Sequence, residues 1–173
     1  PHSERLLERD SYIAREGEAS SYCCLLLSGF AYRHKLVSAG ARQILSLHVS
    51  GEFVDLQNCL LGVADHNVQT LSRATVAFIP QTALLDLAAR RPMVGRAMWH
   101  DTMIDSSIFR EWVVNVGRRD SMTRIAHLLC EITVRLGKAG LAQDQSFILP
   151  LTQEQLADAT GLTSVHTNRV LQA

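Results

Sequence analysis

The sequence predicts an α+β protein with an N-terminal antiparallel β-roll, one long helix and a C-terminal pair of short helices joined by a turn. Three observations predict it. Glycines recur at 17, 29, 40, 51 and 62, eleven or twelve residues apart, with short β-forming segments between them. From Met93 to Val116 there is no proline and a single glycine, Gly95. The last stretch, LTQEQLADATGLTSVHTNRVLQA, sets two helical patterns on either side of Gly161. The expected parts are residues 1–92, 93–117 and 118–173.

Segments such as YCCLLL, FAYRHKL, RQILSLHV and VQTLSRATVAFI carry strand formers and little helical period, so residues 1–80 read as all-β. Gly29 and Gly40 fall where hairpin turns or bulges are expected. Cys23 and Cys24 point to opposite faces of a strand and are poor mutual partners. With no CxxC pair, the four cysteines (Cys23, Cys24, Cys59, Cys130) are expected as buried thiols of a reducing compartment.

After Pro80, QTALLDLAAR reads as a short helix that ends before Pro92. In the next segment Met98, Thr102, Asp105, Phe109, Trp112 and Val116 alternate spacings of four and three, one seam of a long helix. Such a helix, about 35 Å long, is too long for a small roll to cover. It either packs within the chain, between domains or as a bundle helix, or pairs with its twin; a dimer is expected, with Met98, Ile104, Asp105, Ile108 and Trp112 at its seam. GRRD at 117–120 then breaks the helix, Ser121 is the expected cap of another over 122–136, 137–146 is a loop, and FILPL a short strand.

In the final stretch Thr152 is an N-cap candidate, Leu156 and Ala157 face inward, and Gly161 suits a left-handed turn. Thr163 caps the second helix, whose Val170 and Leu171 supply the buried side. This is a helix-turn-helix pattern, although Thr160 and Thr167 stand where aliphatic residues are more usual. In a DNA major groove, Thr152, Thr163 and the helix N-terminus could hold phosphate. Ser164, Val165, Asn168 and Arg169 would point at base edges, where Arg suits guanine, Asn adenine and Val a thymine methyl. His166 is as readily solvated as in contact with DNA.

Composition adds bounds. Apolar residues make up 47% and charged residues 20%, with 17 basic against 17 acidic side chains, an ordinary balance without a disorder signature. No apolar run approaches a membrane span and nothing reads as a signal peptide, so a cytoplasmic protein without membrane contact is expected. The missing initiator Met and the LQA end imply further residues beyond both termini. No histidine pair has cupin spacing, and no Ser-His-Asp signature or phosphate-binding glycine loop occurs, so an enzyme is not expected and no cofactor is called for.

The order of roll, long helix and helix-turn-helix resembles the Crp-Fnr family of bacterial transcription regulators. REGEASSYCCLLLSGFAYRHKL is similar to that family's opening roll strands, ILSLHVSGEFVDL to the strand leading into its glycine turn, and LTQEQLADATGLTSVHTNRVL to its DNA-binding pair. The resemblance implies a homodimer on a palindromic promoter site, a β-hairpin wing lying partly beyond Ala173, and RNA polymerase as a further partner. Relatives that sense cyclic nucleotides carry an acid after the GEF-like turn and then an Arg-Ser pair. Here Asp55 could imitate the acid, but no Arg or Lys occurs between Arg42 and Arg73, so loss of cyclic-nucleotide sensing is expected. The cysteines do not fit an iron–sulfur cluster. A haem sensor stays open through His34, His48 and His66. Val165 and Ser164 stand where many relatives carry Glu and a second Arg, while Arg169 matches the family's helix-borne Arg.

Overall fold

The computed structural model describes residues 2–37, 40–141 and 148–173. The roll is built from β1 (Ser3–Leu7), β2 (Tyr12–Ala14), β3 (Tyr22–Ser28), β4 (Phe30–Leu36), β5 (Arg42–Val49), β6 (Asn67–Thr70) and β7 (Ala74–Pro80). They form two antiparallel sheets, ordered β1-β7-β3 and β2-β6-β4-β5. Strand alternation sorts the side chains. Cys24 and Leu26 of β3 meet Ala31, Val68 and Val76 between the sheets, while Cys23 turns to the other face and packs with Leu56, Cys59 and Leu84. Gly29 joins β3 to β4 with φ +84°, and a Cβ there would lie 2.5 Å from the Arg73 carbonyl oxygen, so only glycine fits.

Five longer helices follow: α2 (Gln81–Arg90), α3 (Pro92–Arg118), α4 (Ser121–Lys138), α5 (Gln153–Thr160) and α6 (Ser164–Leu171), preceded by the short α1 (Asn58–Leu61) inside the roll. A shared core joins the parts: Tyr32, Ile44 and Leu47 on the outer face of the second sheet pack with Trp112 of α3, Ile125, Leu128 and Ile132 of α4, and Leu156 of α5. No helix among the described residues is long and apolar enough to cross a membrane.

Several expectations are corrected. Residues 1–80 are not purely β, because α1 closes the turn after β5. The long helix reaches 27 residues: it opens at Pro92, where a missing N–H costs nothing, and continues through Gly117 and Arg118. The cap of α4 is Asp120 rather than Ser121, its carboxylate accepting the Thr123 N–H at 3.0 Å. Ile148–Leu151 form no strand. Phe147, and residues 142–146 of the expected loop, lie outside the described residues. The cysteines are not four buried thiols either. Cys23 and Cys59, 36 residues apart in sequence, form a disulfide with a Cα–Cα distance of 6.3 Å, and Cys130 is exposed. The fold brings together two thiols that spacing alone kept apart.

Candidate nucleic-acid interface

The helix-turn-helix is locked by local chemistry. Thr152 Oγ1 accepts the Gln155 N–H at 3.1 Å and Gln155 Oε1 accepts the Thr152 N–H at 3.0 Å, a reciprocal cap on α5. Leu156, Ala157, Ala159 and Thr160 are buried, and Thr160 satisfies its hydroxyl by donating to the Leu156 carbonyl at 2.7 Å. Gly161 turns the chain with φ 64°. From α4, Arg124 Nη1 donates to the Thr160 carbonyl at 3.1 Å, tying down the end of α5. Thr163 Oγ1 accepts the His166 N–H at 3.2 Å and caps α6.

On α6, Thr163, Ser164, Val165, His166 and Arg169 stand exposed, as does Thr152 at the start of α5. Asn168 is half-buried and accepts from Gln153 Nε2 at 3.4 Å. The inward residue is Thr167, fully buried, assisted by half-buried Val170; Leu171, expected inside, is 46% exposed. Thr167, Val170 and Leu171 share one face of α6 at spacings of three and four, and Leu171 is left open as the last residue of the helix. An anion-attracting helix end, a guanidinium and small side chains therefore share one open surface.

The roll holds this unit at two places. Arg42 Nε donates to Asp158 Oδ2 of α5 at 2.7 Å, and Gln43 Nε2 donates to the Asp158 carbonyl at 2.7 Å. Arg135 of α4 donates to Glu52 in the turn after β5, to the Leu47 carbonyl at 2.6 Å and to Glu131 at 2.9 Å.

Glu52 also lines a cavity of about 60 Å³ between the roll and α3, with Arg33, His48, Asp101, Asp105 and Arg135. A nucleotide needs several hundred Å³. The structure does bring cations here, Arg33 and Arg135, which arrive from β4 and α4 and so lie outside the cation-free stretch between Arg42 and Arg73. Both are committed: Arg33 donates to Asp105 and to the Val54 carbonyl, Arg135 to Glu52 and Glu131. Three carboxylates against two guanidiniums leave no net attraction for a phosphate, so the residues present do not fit a cyclic nucleotide. Burial raises the Glu52 carboxyl, yet hydrogen bonds from His48 and Arg135 outweigh it and hold it at about 2. Burial, reinforced by the Arg33 charge, lowers His48 to about 4. Asp55 is not in this cavity. It is fully buried, accepts the Cys24 N–H at 2.6 Å, and is pushed by burial up to about 6. His34, His48 and His66 are buried singly, and among the described residues no cluster of His, Cys, Asp or Glu could hold a metal ion.

The residues expected at a dimer seam mostly face their own roll. Trp112 is 4% exposed with its indole N–H donating to Glu131, Asp105 pairs with Arg33, and Met98 and Ile108 pack against the roll cores. Only Ile104 stays open, at 47%. The opposite face of α3 carries exposed Trp99, Met103 and Val113, a stripe at spacings of four and ten that returns to one side of the helix. Apolar period revealed the helix but not which of its two apolar sides meets the roll.

Comparison with known proteins agrees with this layout. Residues 4–91 match the family model of the cyclic nucleotide-binding domain, and residues 123–173 that of the Crp-like helix-turn-helix domain. A probable transcriptional activator of Rhizobium leguminosarum bv. viciae is 24% identical over 159 residues, 92% of this chain and 65% of that protein. The transcriptional activator protein FnrL of Cereibacter sphaeroides is 24% identical over 160 residues, 91% of this chain and 64% of its own length. The chain thus spans just under two thirds of these curated relatives. FixK2 from Bradyrhizobium japonicum superposes with a TM-score of 0.90 at 24% identity, covering 99% of this chain and 83% of that one.

Proposed function

Because the chain belongs to the Crp-Fnr family, we propose that it is a sequence-specific regulator of transcription that binds double-stranded DNA as a homodimer. The observation that carries this reading is α6, whose capped N-terminus, Val165 and Arg169 stand open while α5 is held in the core. Thr152 and Thr163 hold phosphates, Ser164, Val165, Asn168 and Arg169 meet base edges, and His166 lies at the rim. Two such helices about 34 Å apart select a palindromic promoter site, in the cytoplasm, with RNA polymerase as the onward partner.

Dimerisation runs along the open stripe of α3, Trp99, Met103 and Val113, since a stripe of this kind is apolar surface that monomers keep small. Sedimentation at micromolar concentration should give twice the chain mass, and a clean monomer would sink this part. Selection from random-sequence duplexes should enrich a two-fold-symmetric motif; enrichment of none would overturn the DNA reading. The committed cavity favours a regulator that does not answer to cyclic nucleotides. Cyclic AMP and cyclic GMP should leave the melting temperature unmoved, and a saturable rise would reverse that conclusion.

A further inference from the structure

We infer that two ion pairs from the roll, Glu52–Arg135 and Arg42–Asp158, position the reading helix, so that the half-site spacing this protein accepts is set from the roll. The inference rests on the DNA-binding reading above and adds to it a source for the geometry.

Arg135 sits in the last turn of α4 and reaches Glu52 through both Nε, at 3.1 Å, and Nη2. Glu52 cannot swing away: it also accepts the Val49 N–H at 3.2 Å and faces the buried His48 ring at 3.4 Å. The second pair grips a different helix. Arg42 reaches Asp158 of α5 at 2.7 Å, with its guanidinium 5.6 Å from the Tyr32 ring centre, and Gln43 adds the Asp158 carbonyl. The two grips lie at opposite ends of β5, about 20 Å apart at the rise of a strand. One contact would act as a swivel; two separated contacts fix rotation as well as distance.

The pairs supply something that the apolar core beneath them does not. Apolar burial is non-directional and tolerates sliding, whereas charge-assisted hydrogen bonds constrain angle. Among the described residues α6 makes no ion pair with the roll, so its direction is inherited through α5 and α4. In a dimer, any rotation of that unit moves the two reading helices relative to each other.

The test uses the full chain, its Glu52→Gln and Asp158→Asn variants, and the double variant. Each is titrated with the duplex selected on the wild type, and with versions whose half-sites are one base pair closer or further apart. In the double variant the preference for the selected spacing should fall about tenfold, with each single change giving part of it. Arg135→Lys, which keeps a cation against Glu52, should retain most of the preference. Equal weakening at every spacing would overturn the inference, because the pairs would then only support the fold. Tighter binding at the selected spacing would overturn it too, by showing that the pairs hold the helix back. Calorimetry on the same proteins should show the double variant separating one unfolding transition into two. If the wild type selects no duplex, the DNA reading has failed separately, and an unchanged single transition in the double variant removes the positioning role as well.

Discussion

α5 and α6 are each eight residues long, each starts at a threonine cap, and they share one turn, yet they end in opposite environments. α5 buries Gln155, Leu156, Ala157, Ala159 and Thr160, while α6 buries only Thr167. Local signals are nearly the same in both, so they determine that helices form and not what becomes of them. The difference is in neighbours. α5 is wedged between β5 and α4, and Ala157 and Ala159 let it approach closely; α6 rests on one side only and leaves the rest for a ligand. One helix is scaffold and the other is the reader we propose.

The contrast can be broken most forcefully at Leu156. Leu156→Ala should cost about 2–5 kcal/mol of unfolding free energy by denaturant titration, from lost transfer and cavity terms. Leu171→Ala, on exposed α6, should stay within about 0.5 kcal/mol. Equal costs would mean that the two helices are buried alike. The roll beneath them should also respond to pH. His48 lies near 4, below its ordinary 6.5, so its contribution to stability is present above pH 6.5 and is lost as pH falls through 4. Asp55 lies near 6, above its ordinary 3.8, so its contribution is present below pH 3.8 and is lost as pH rises through 6. Each shift is worth about 1–3 kcal/mol, and between pH 4 and 6 they oppose each other. Asp55→Asn should therefore turn a shallow wild-type profile into stability that climbs steadily from pH 4 to 6.5, and an unaltered profile would remove Asp55 from the account.

On the reader, Arg169→Ala should cost about 1–3 kcal/mol of discrimination at one base pair per half-site, with melting temperature unchanged. Uniform weakening with a shallower salt dependence would place Arg169 on phosphate instead. The caps give the smallest effect. Thr152→Ala removes the hydroxyl that accepts the Gln155 N–H, one half of the reciprocal cap on buried α5, and should destabilise by about 1–2 kcal/mol, against about 0.5–1 kcal/mol for the bond lost on exposed α6 in Thr163→Ala. A reversed order would show that α6 carries more of the fold than its exposure allows.

What could be read from sequence follows the same division. Thr152, Gly161 and Thr163 act on atoms within a few residues of themselves, so their roles were visible in order along the chain. The glycine rhythm located the strands for the same reason. Contacts across the chain were hidden: Arg33 and Arg135 reach the cavity from 24 and 83 residues away in their pairs with Gln57 and Glu52, and Cys59 meets Cys23 across 36. α3 was visible as a helix, but Trp112 and Trp99 are both large and apolar, and nothing local tells which one the roll will take. Asp120 is hidden as a cap in the sequence because Ser121 beside it offers the same chemistry.

β5 is the outermost strand of its sheet. Its outward backbone oxygens are met by side chains rather than by another strand: Arg135 donates to Leu47, and Gln43 donates to Ile44 at 2.9 Å. An uncovered strand of that kind is a template on which a second chain can add itself. The helices α4 and α5 therefore also serve as an insulating cover for the roll. A roll released without residues 121–173 would be self-adhesive and prone to strand-paired aggregation, which gives a reason, independent of gene control, for these two parts to stay together in one chain.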